Sequence, residues 1–173
     1  WGAQVEALPF ATSYIRTEGA AVSRSADNLN VSPYAAINPS ELSYNVVFDS
    51  KTSGEGYPMI FRHTALNSKQ FWAYIDPNAR LISGISGDSA TTSTGVFVTN
   101  ETLKLSGTYD GTVSRLYKDN ELLAQDGSSS PIQINGANPL FIGSNGGSQL
   151  LFGHISKFAT YDKALTAQEI TLL

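Results

Sequence analysis

Pairs of carboxylates are the first pattern to consider, because glycosidases place two of them roughly 5 to 9.5 Å apart across a sugar. On a strand such a pair stands two residues apart, since alternate side chains share a face. No pair of Asp or Glu has this spacing on a stretch that reads as a strand. The glutamates stand singly and the aspartates fall in or beside turns, where they cap backbone groups. The expectation is a protein that is not an enzyme.

A polysaccharide lyase would need a Tyr or His base beside a cation that neutralises a uronate. The chain has two histidines, His63 and His154, and only His63 has an arginine beside it in sequence, Arg62. These residues and the Trp72–Tyr74 segment fall on neighbouring predicted strands. A lyase or glycosidase is therefore the least favoured of the functions considered.

Aromatic residues give the better functional signal. In the stretch FWAYID, strand alternation puts Phe71, Ala73 and Ile75 on one face and Trp72 and Tyr74 on the other. The first set suits a core, and the second presents two aromatic faces of the kind that stack on sugars. Packing between strands is the structural alternative. The predicted ligand-binding residues are Trp72, Tyr74, Arg62, His63, Arg115, Tyr117 and Tyr57.

A calcium ion is the one cofactor to consider, and no cofactor is expected to be required. The candidate ligands, on chemistry alone, are Asp49, Asp88, Asp110 and Asp119. Calcium loops concentrate oxygen ligands at short spacing, and no dense D-x-D-x-D loop is present. A turn-capping role is favoured for each of the four.

Composition narrows the class further. The 173 residues carry a net charge of −4 with scattered basic residues, which argues against nucleic-acid binding. Cysteine is absent, so disulfides, zinc–thiolate sites and cysteine nucleophiles are excluded. The sequence contains no run of about 18 apolar residues, so no membrane-spanning helix is predicted.

Short strands separated by Gly, Asn, Asp and Ser predict an all-β protein of sandwich or barrel type. One helix is expected at the end, capped by Thr166 with Glu169 three residues later. Residues 1–30 are interpreted as an N-terminal strand and linker arm from an upstream domain, and residues 31–173 as the domain itself. The predicted strands are Leu42–Phe48, Tyr57–His63, Gln70–Ile75, Arg80–Ser86, Gly95–Val98, Thr102–Tyr109, Val113–Lys118, Glu121–Gln125, Leu140–Ile142 and Gly153–Tyr161.

Three motifs occur in order along the chain: GTYDG at 107–111, RLYKDNEL at 115–122, and the segment from Gly153 through YDKALTAQEI. Together they resemble a laminin-G-like, concanavalin-A-like jelly roll. The resemblance implies a two-sheet antiparallel jelly-roll sandwich with a short C-terminal helix. Asn120 stands where the family hairpin usually has Gly, and Asn also tolerates the left-handed conformation.

The opening WGAQVEALPFATSYIRTEGAAVSRSAD is similar to a phrase common in bacteriophage tail and virion proteins. That resemblance implies a virion tail or surface protein, with an extracellular or cell-surface adhesion domain as the alternative location. The predicted function is a non-catalytic carbohydrate-recognition or adhesion module that binds bacterial surface glycan. A structural domain for virion assembly or decoration, contacting other virion proteins or its own copies, is the alternative.

Overall fold

The computed structural model describes residues 16, 18–19, 28–32, 38–51, 56–63, 71–85, 88–91, 96–127, 138–146 and 148–173. Within these ranges the chain forms eleven strands and one short helix. In chain order they are β1 Leu29–Val31, β2 Leu42–Ser50, β3 Met59–His63, β4 Phe71–Ile75, β5 Leu81–Ile85, β6 Asp88–Thr91, β7 Leu103–Tyr109, β8 Val113–Lys118, β9 Glu121–Gly127, β10 Leu140–Ile142, β11 Gly153–Tyr161 and α1 Ala167–Thr171.

The strands form two antiparallel sheets. The first sheet has the order β1-β10-β3-β4-β5-β6, and the second has the order β11-β2-β7-β8-β9. Non-consecutive strands are neighbours in both sheets, as in a jelly roll. The prediction of an all-β, two-sheet antiparallel sandwich with a short C-terminal helix is confirmed.

Strand alternation builds the core between the sheets. In β4 the side chains of Phe71, Ala73 and Ile75 are fully buried, as predicted from the FWAYID stretch. Tyr44 of β2 crosses the core, where its hydroxyl donates a hydrogen bond of 2.6 Å to Ser83 Oγ on the other sheet. Burial raises the pKa of Tyr44, so this hydroxyl stays a donor over the ordinary pH range.

The structure differs from the predicted strands in two segments. Residues 96–98, the described part of the predicted strand Gly95–Val98, are irregular. Phe97 is instead buried against Phe48, with parallel rings 6.2 Å apart, and its N–H donates to the Ala79 carbonyl at 3.0 Å. Conversely, β6 has the polar sequence DSAT and no apolar alternation, because it is an edge strand held by backbone pairing to β5.

Strand β1 pairs with β10 and so belongs to the first sheet. This short strand spans residue 30, where the sequence placed the end of the arm. Most of the predicted arm lies outside the described residues. The division into an arm and a domain stays a prediction.

The C-terminal helix has the predicted capping box. Thr166 Oγ1 accepts from Glu169 N at 3.2 Å, and Glu169 Oε2 accepts from Thr166 N at 2.8 Å. Ile170 is buried with Leu165 and Tyr117, so α1 covers part of the outer face of the second sheet. Within the described ranges, no helix has the length and apolar character needed to cross a membrane.

Candidate functional site

The outer face of the first sheet carries the predicted aromatic pair. Trp72 and Tyr74 alternate with buried residues of β4 and are themselves half-buried. Their rings stack with centroids 5.1 Å apart and planes inclined by 23°, and together they form an aromatic platform. Tyr57 adds a third ring, edge-on to Tyr74 at 5.8 Å. Three aromatic side chains therefore form one surface on the side of the sheet that faces away from the core.

A glycine sets the position of the indole. Gly84 of β5 stands directly opposite Trp72 in the strand register. A Cβ built on Gly84 would overlap Trp72 Cε2 and Cζ2. The indole therefore lies across the backbone of β5, which only a residue without a side chain permits.

A cavity of about 310 Å³ opens beside these rings. Its lining residues are Tyr57, Met59, Arg62, Trp72, Tyr74 and Gln149. Arg62 lies opposite Trp72 in the pairing of β3 with β4, which puts both side chains on the outer face. Four of the seven predicted ligand-binding residues are thus brought together.

Gln149 reaches the cavity from the connection between β10 and β11. Its backbone carbonyl accepts a hydrogen bond of 3.0 Å from Met59 N, which joins this connection to the start of β3. Asn145 Nδ2 donates to Gln149 Oε1 at 2.6 Å. The Gln149 Nε2 can donate to a ligand, and Oε1 keeps a second lone pair that can accept.

Two lining residues have unusual backbone conformations. Tyr57 has φ of 55° and Gln149 has φ of 52°, both in the left-handed region. This region is costly for a bulky side chain, and more so for Tyr57 because Pro58 follows it. Such conformations cluster at binding and catalytic sites. Their occurrence at two residues of one cavity supports its choice as the functional site.

The acid nearest in sequence to the aromatic pair has a structural role. Asp76 is buried, and its carboxylate accepts from Asn78 N and Arg80 N, each at 2.9 Å, and from Arg80 Nε at 2.7 Å. Burial opposes its ionisation, but these hydrogen bonds outweigh burial and hold the pKa of Asp76 below its usual value. Burial, reinforced by the charge of Asp76, raises the pKa of Tyr74.

His63 does not join the cavity, which corrects the sequence expectation. Strand alternation puts it on the face opposite Arg62, where it is fully buried and its ring lies 5.5 Å from that of Phe71. Burial lowers the pKa of His63 and favours the neutral imidazole. The alternation of β3 alone was enough to separate these two neighbours.

Arg115 and Tyr117 are also placed elsewhere, because β8 belongs to the second sheet. Arg115 Nη1 donates to Asp110 Oδ2 at 2.6 Å beside a turn. Tyr117 lies on the outer face of its sheet, as strand alternation predicts, but Leu165 and Ile170 bury it. Neither residue lies with the predicted platform.

The calcium candidates are engaged in other contacts. Asp49 contacts Lys51 Nζ at 3.0 Å and His154 Nδ1 at 3.1 Å. Asp110 Oδ1 accepts from Val113 N at 2.8 Å, and Asp119 Oδ1 accepts from Lys104 N at 2.9 Å. The side chain of Asp88 lies outside the described residues. Where side chains are described, no three His, Cys, Asp or Glu residues are grouped so as to hold a metal ion.

Solved structures share the fold. A heptameric SAP-like pentraxin from Limulus polyphemus has 14% identity and a TM-score of 0.63, with 83% of this chain and 73% of the pentraxin covered. The IT-sialidase CBM40 of Ruminococcus gnavus has 10% identity and a TM-score of 0.63, covering 78% and 83%. A Trypanosoma rangeli sialidase has 13% identity and a TM-score of 0.59, covering 80% of this chain and 22% of the sialidase.

Sequence comparison gives the family. No curated protein matches the chain significantly. A laminin G profile, described as the concanavalin A-like lectin/glucanases superfamily, matches residues 12–171. This range includes all three motifs noted in the sequence and both sheets of the structure. The chain therefore belongs to the concanavalin A-like lectin/glucanases superfamily.

Proposed function

We propose that the chain is a non-catalytic carbohydrate-recognition module whose site is the cavity beside Trp72 and Tyr74. The observation that carries the proposal is the stacked aromatic pair on the outer face of the first sheet, with Arg62 and Gln149 at its border. Sugar rings present apolar C–H faces and a circumference of hydroxyls. Aromatic faces bordered by a few placed polar groups match both properties.

The size of the cavity supports a small ligand or one end of a longer chain. At about 310 Å³ it is near the lower limit of ligand pockets, which span about 300 to 1,000 Å³. Tyr57 is 46% exposed at the border. The site would accordingly hold one or two sugar rings and leave the remainder of a polysaccharide in solvent.

The non-catalytic part of the proposal rests on the residues that line the cavity. Most glycosidases use two carboxylates that face the sugar, and the described lining contains none. Asp76, next to the platform, is occupied by its turn and by Arg80. We propose recognition without bond cleavage, which incubation with a bound glycan and assay of new reducing ends would test.

The comparisons are compatible with glycan recognition. The Ruminococcus gnavus module is described in one structure as bound to alpha2,3 sialyllactose. At 10% identity this likeness concerns the fold, and the function of that module is offered here only by analogy. We further propose a phage tail or virion surface as the setting and bacterial surface polysaccharide as the ligand, on the resemblance of residues 1–27 alone.

One observation favours the assembly role as a second candidate. Edge strand β1 exposes Leu29 by 59% and Val31 by 44%. In the strand register these residues stand opposite Ile142 and Leu140 of β10, so they lie on the core-facing side of the sheet. An exposed apolar edge strand is a surface on which another chain can add. Sedimentation of the purified protein at several concentrations would test whether copies associate through this edge.

The recognition function is tested with a glycan array of bacterial surface polysaccharides. The wild type is compared with Trp72→Ala, which removes the larger ring of the platform. Tyr161→Ala removes a half-buried aromatic side chain from the second sheet and is the matched control. Circular dichroism during heating shows that each variant is folded.

We expect saturable binding by the wild type and the control, and a loss of at least about tenfold in affinity for Trp72→Ala, in line with aromatic stacking on a ligand. Binding that survives Trp72→Ala unchanged would move the site away from this cavity. A folded wild type that binds no glycan would contradict the proposed function and favour the assembly role.

A further inference from the structure

We propose that Gln149 selects a sugar ring with two free, adjacent hydroxyl groups, one donating to its Oε1 and the other accepting from its Nε2. The C–H face of the same ring would lie against Trp72 and Tyr74. This inference rests on the proposed function, because it names the class of sugar that the same cavity would take. Its basis is a chain of hydrogen bonds that fixes the orientation of the Gln149 amide.

The orientation of Asn145 is set by a backbone group. Its Oδ1 lies 3.0 Å from Ser148 N, and a backbone N–H can only donate. The atom of the Asn145 amide that faces Ser148 N is therefore the oxygen and not the nitrogen. The Ser148 hydroxyl donates to the same oxygen at 3.0 Å.

The Asn145 amide fixes that of Gln149 in turn. Asn145 Nδ2 is only a donor, and it lies 2.6 Å from Gln149 Oε1. A flipped Gln149 amide would place two donors against each other, so its oxygen stays on the side of Asn145. The main chain of Gln149 is held as well, because its carbonyl accepts from Met59 N at 3.0 Å. Gln149 is thus ordered before a ligand arrives, which lowers the entropic cost of binding.

A fixed amide at the lining of a cavity presents an acceptor and a donor side by side. Gln149 Oε1 keeps a second lone pair that can accept, and Nε2 can donate. The ligand therefore has to offer a donor next to an acceptor. Two adjacent hydroxyls on a sugar ring do so, because each hydroxyl can donate or accept. An ionised carboxylate only accepts and would leave the Gln149 oxygen facing another acceptor.

The other side chains of the lining restrict the ligand less. The hydroxyls of Tyr57 and Tyr74 can serve either as donors or as acceptors. Arg62 already has an interaction partner within the protein. Trp72 and Met59 contribute mainly apolar surface. The fixed amide of Gln149 is therefore the group that sets which pattern of hydroxyls can bind.

The test begins with methyl glycosides of glucose, galactose, mannose, rhamnose and N-acetylglucosamine, titrated into the protein and followed by NMR. For each sugar that binds, analogues are compared in which one hydroxyl at a time is replaced by hydrogen. The titrations use the wild type, Gln149→Ala and Gln125→Ala. Gln125 is an exposed glutamine on β9 of the second sheet, so its variant is the matched control.

We expect two adjacent positions on the ring at which loss of the hydroxyl weakens binding to the wild type about fivefold each, as for one neutral hydrogen bond. Gln149→Ala should bind the parent sugar more weakly and should no longer distinguish it from these two analogues. Gln125→Ala should behave as the wild type does.

Fluorinated analogues report the orientation of the amide. A C–F group cannot donate and accepts weakly, so fluorine should bind less tightly than hydrogen at the position facing Oε1 and more tightly at the position facing Nε2. Asn145→Asp keeps an acceptor for Ser148 N but replaces the donor to Gln149 by an acceptor. The Gln149 amide should then flip and exchange these two positions. A loss of loop stability alone would not exchange them.

The inference would be overturned if the wild type showed no adjacent pair of sensitive hydroxyls, or if Gln149→Ala kept the sensitivity of the wild type. Either result would leave the proposed function in place, provided that Trp72→Ala abolishes binding. A wild type that binds glycans on the array but none of the methyl glycosides would also overturn it.

A folded Asn145→Asp with the fluorine pattern of the wild type would overturn the assigned orientation of the amide. If the wild type binds no glycan at all, the proposed function itself fails and the inference falls with it. The series of analogues on the wild type needs no variant, so a misfolded Gln149→Ala would not protect the proposal.

Discussion

At the scale of single residues, the position of the Trp72 indole depends on an absent side chain. Gly84→Ala would place a Cβ against the indole, so the ring has to leave the face of β5. We predict a loss of glycan affinity of about tenfold or more, with a destabilisation of about 1–2 kcal/mol from the added methyl group. Calorimetry and near-ultraviolet circular dichroism of the indole measure the two effects.

Gly127→Ala is the matched control for that substitution. Gly127 also lies in a strand, β9, and a Cβ built there has no neighbour within 4 Å. It should leave both glycan affinity and the tryptophan signal unchanged. If Gly84→Ala binds as well as the wild type while its indole signal has moved, then the ring orientation seen here is not required for binding.

Asn145 lies outside the cavity and should affect glycan affinity through Gln149, whose side-chain amide it holds. Asn145 Oδ1 accepts from Ser148 N and from Ser148 Oγ, each at 3.0 Å, while its Nδ2 donates to Gln149. Asn145→Ala should weaken glycan binding several-fold by releasing the Gln149 amide. Removal of one neutral hydrogen bond is worth about 1 kcal/mol, or roughly fivefold.

A double-mutant cycle distinguishes this role from a general loss of loop structure. If Asn145 acts through Gln149, then Asn145→Ala should add little to the effect of Gln149→Ala on affinity. Additive losses would mean that the two residues act separately. Thermal unfolding of all three variants reports whether the connection has lost stability.

At the scale of elements, the capping box makes helix α1, which covers part of the second sheet, sensitive to acid. The Lys163 ammonium and the hydrogen bonds from Thr166 lower the pKa of Glu169 to about 2. Because the pKa of Glu169 is lower in the folded state, its ionised form stabilises the fold at pH values above the unfolded pKa of 4.5. This contribution is lost as the pH falls from 4.5 towards 2. We predict that α1 frays in this window and exposes Ile170, which amide exchange followed by NMR would detect.

Glu169→Gln provides the comparison for acid fraying. Glutamine keeps a hydrogen-bonding group at this position of the capping box but does not titrate. Amide exchange in α1 of this variant should not depend on pH between 5 and 2 after correction for intrinsic rates. A variant that frays as steeply as the wild type would assign the transition to another group.

At the scale of the whole molecule, alternation along strands explains what the sequence could predict. It placed Trp72 and Tyr74 outside and Phe71, Ala73 and Ile75 in the core. Alternation gives the face of a residue within its own sheet but not which sheet its strand joins. Because β8 pairs with β7 in the second sheet, Tyr117 lies away from the platform, although strand alternation correctly placed it on an outer face.

Contacts distant in sequence explain what could not be predicted. Gln149 and Met59 are 90 positions apart, and they meet because β10 pairs with β3 and carries the following connection to the start of that strand. No local pattern in the GSNGGSQ stretch signals this contact. Similarly, the polar strand β6 has no periodicity that would distinguish it from a loop. Its identity depends on its neighbour β5.

The question of calcium also belongs to the whole molecule, because the candidate ligands are spread over the sandwich. Asp110 follows β7 at the end of the second sheet where Leu42 pairs with Tyr109, whereas Asp49 lies near the other end of β2. Each is already held by cations or backbone N–H groups, and in both cases these contacts outweigh burial and lower the pKa. A calcium ion would have to displace those contacts.

We therefore predict that chelator changes neither glycan affinity nor the unfolding temperature. The measurement is calorimetry and thermal unfolding in millimolar calcium and again in EDTA. Asp110→Asn should lower stability in both conditions alike, because it weakens the ion pair with Arg115 and the cap of the β7–β8 turn. A rise in unfolding temperature with calcium that is absent in Asp88→Asn would contradict the prediction. It would assign a metal site to Asp88, the one candidate whose side chain is not described.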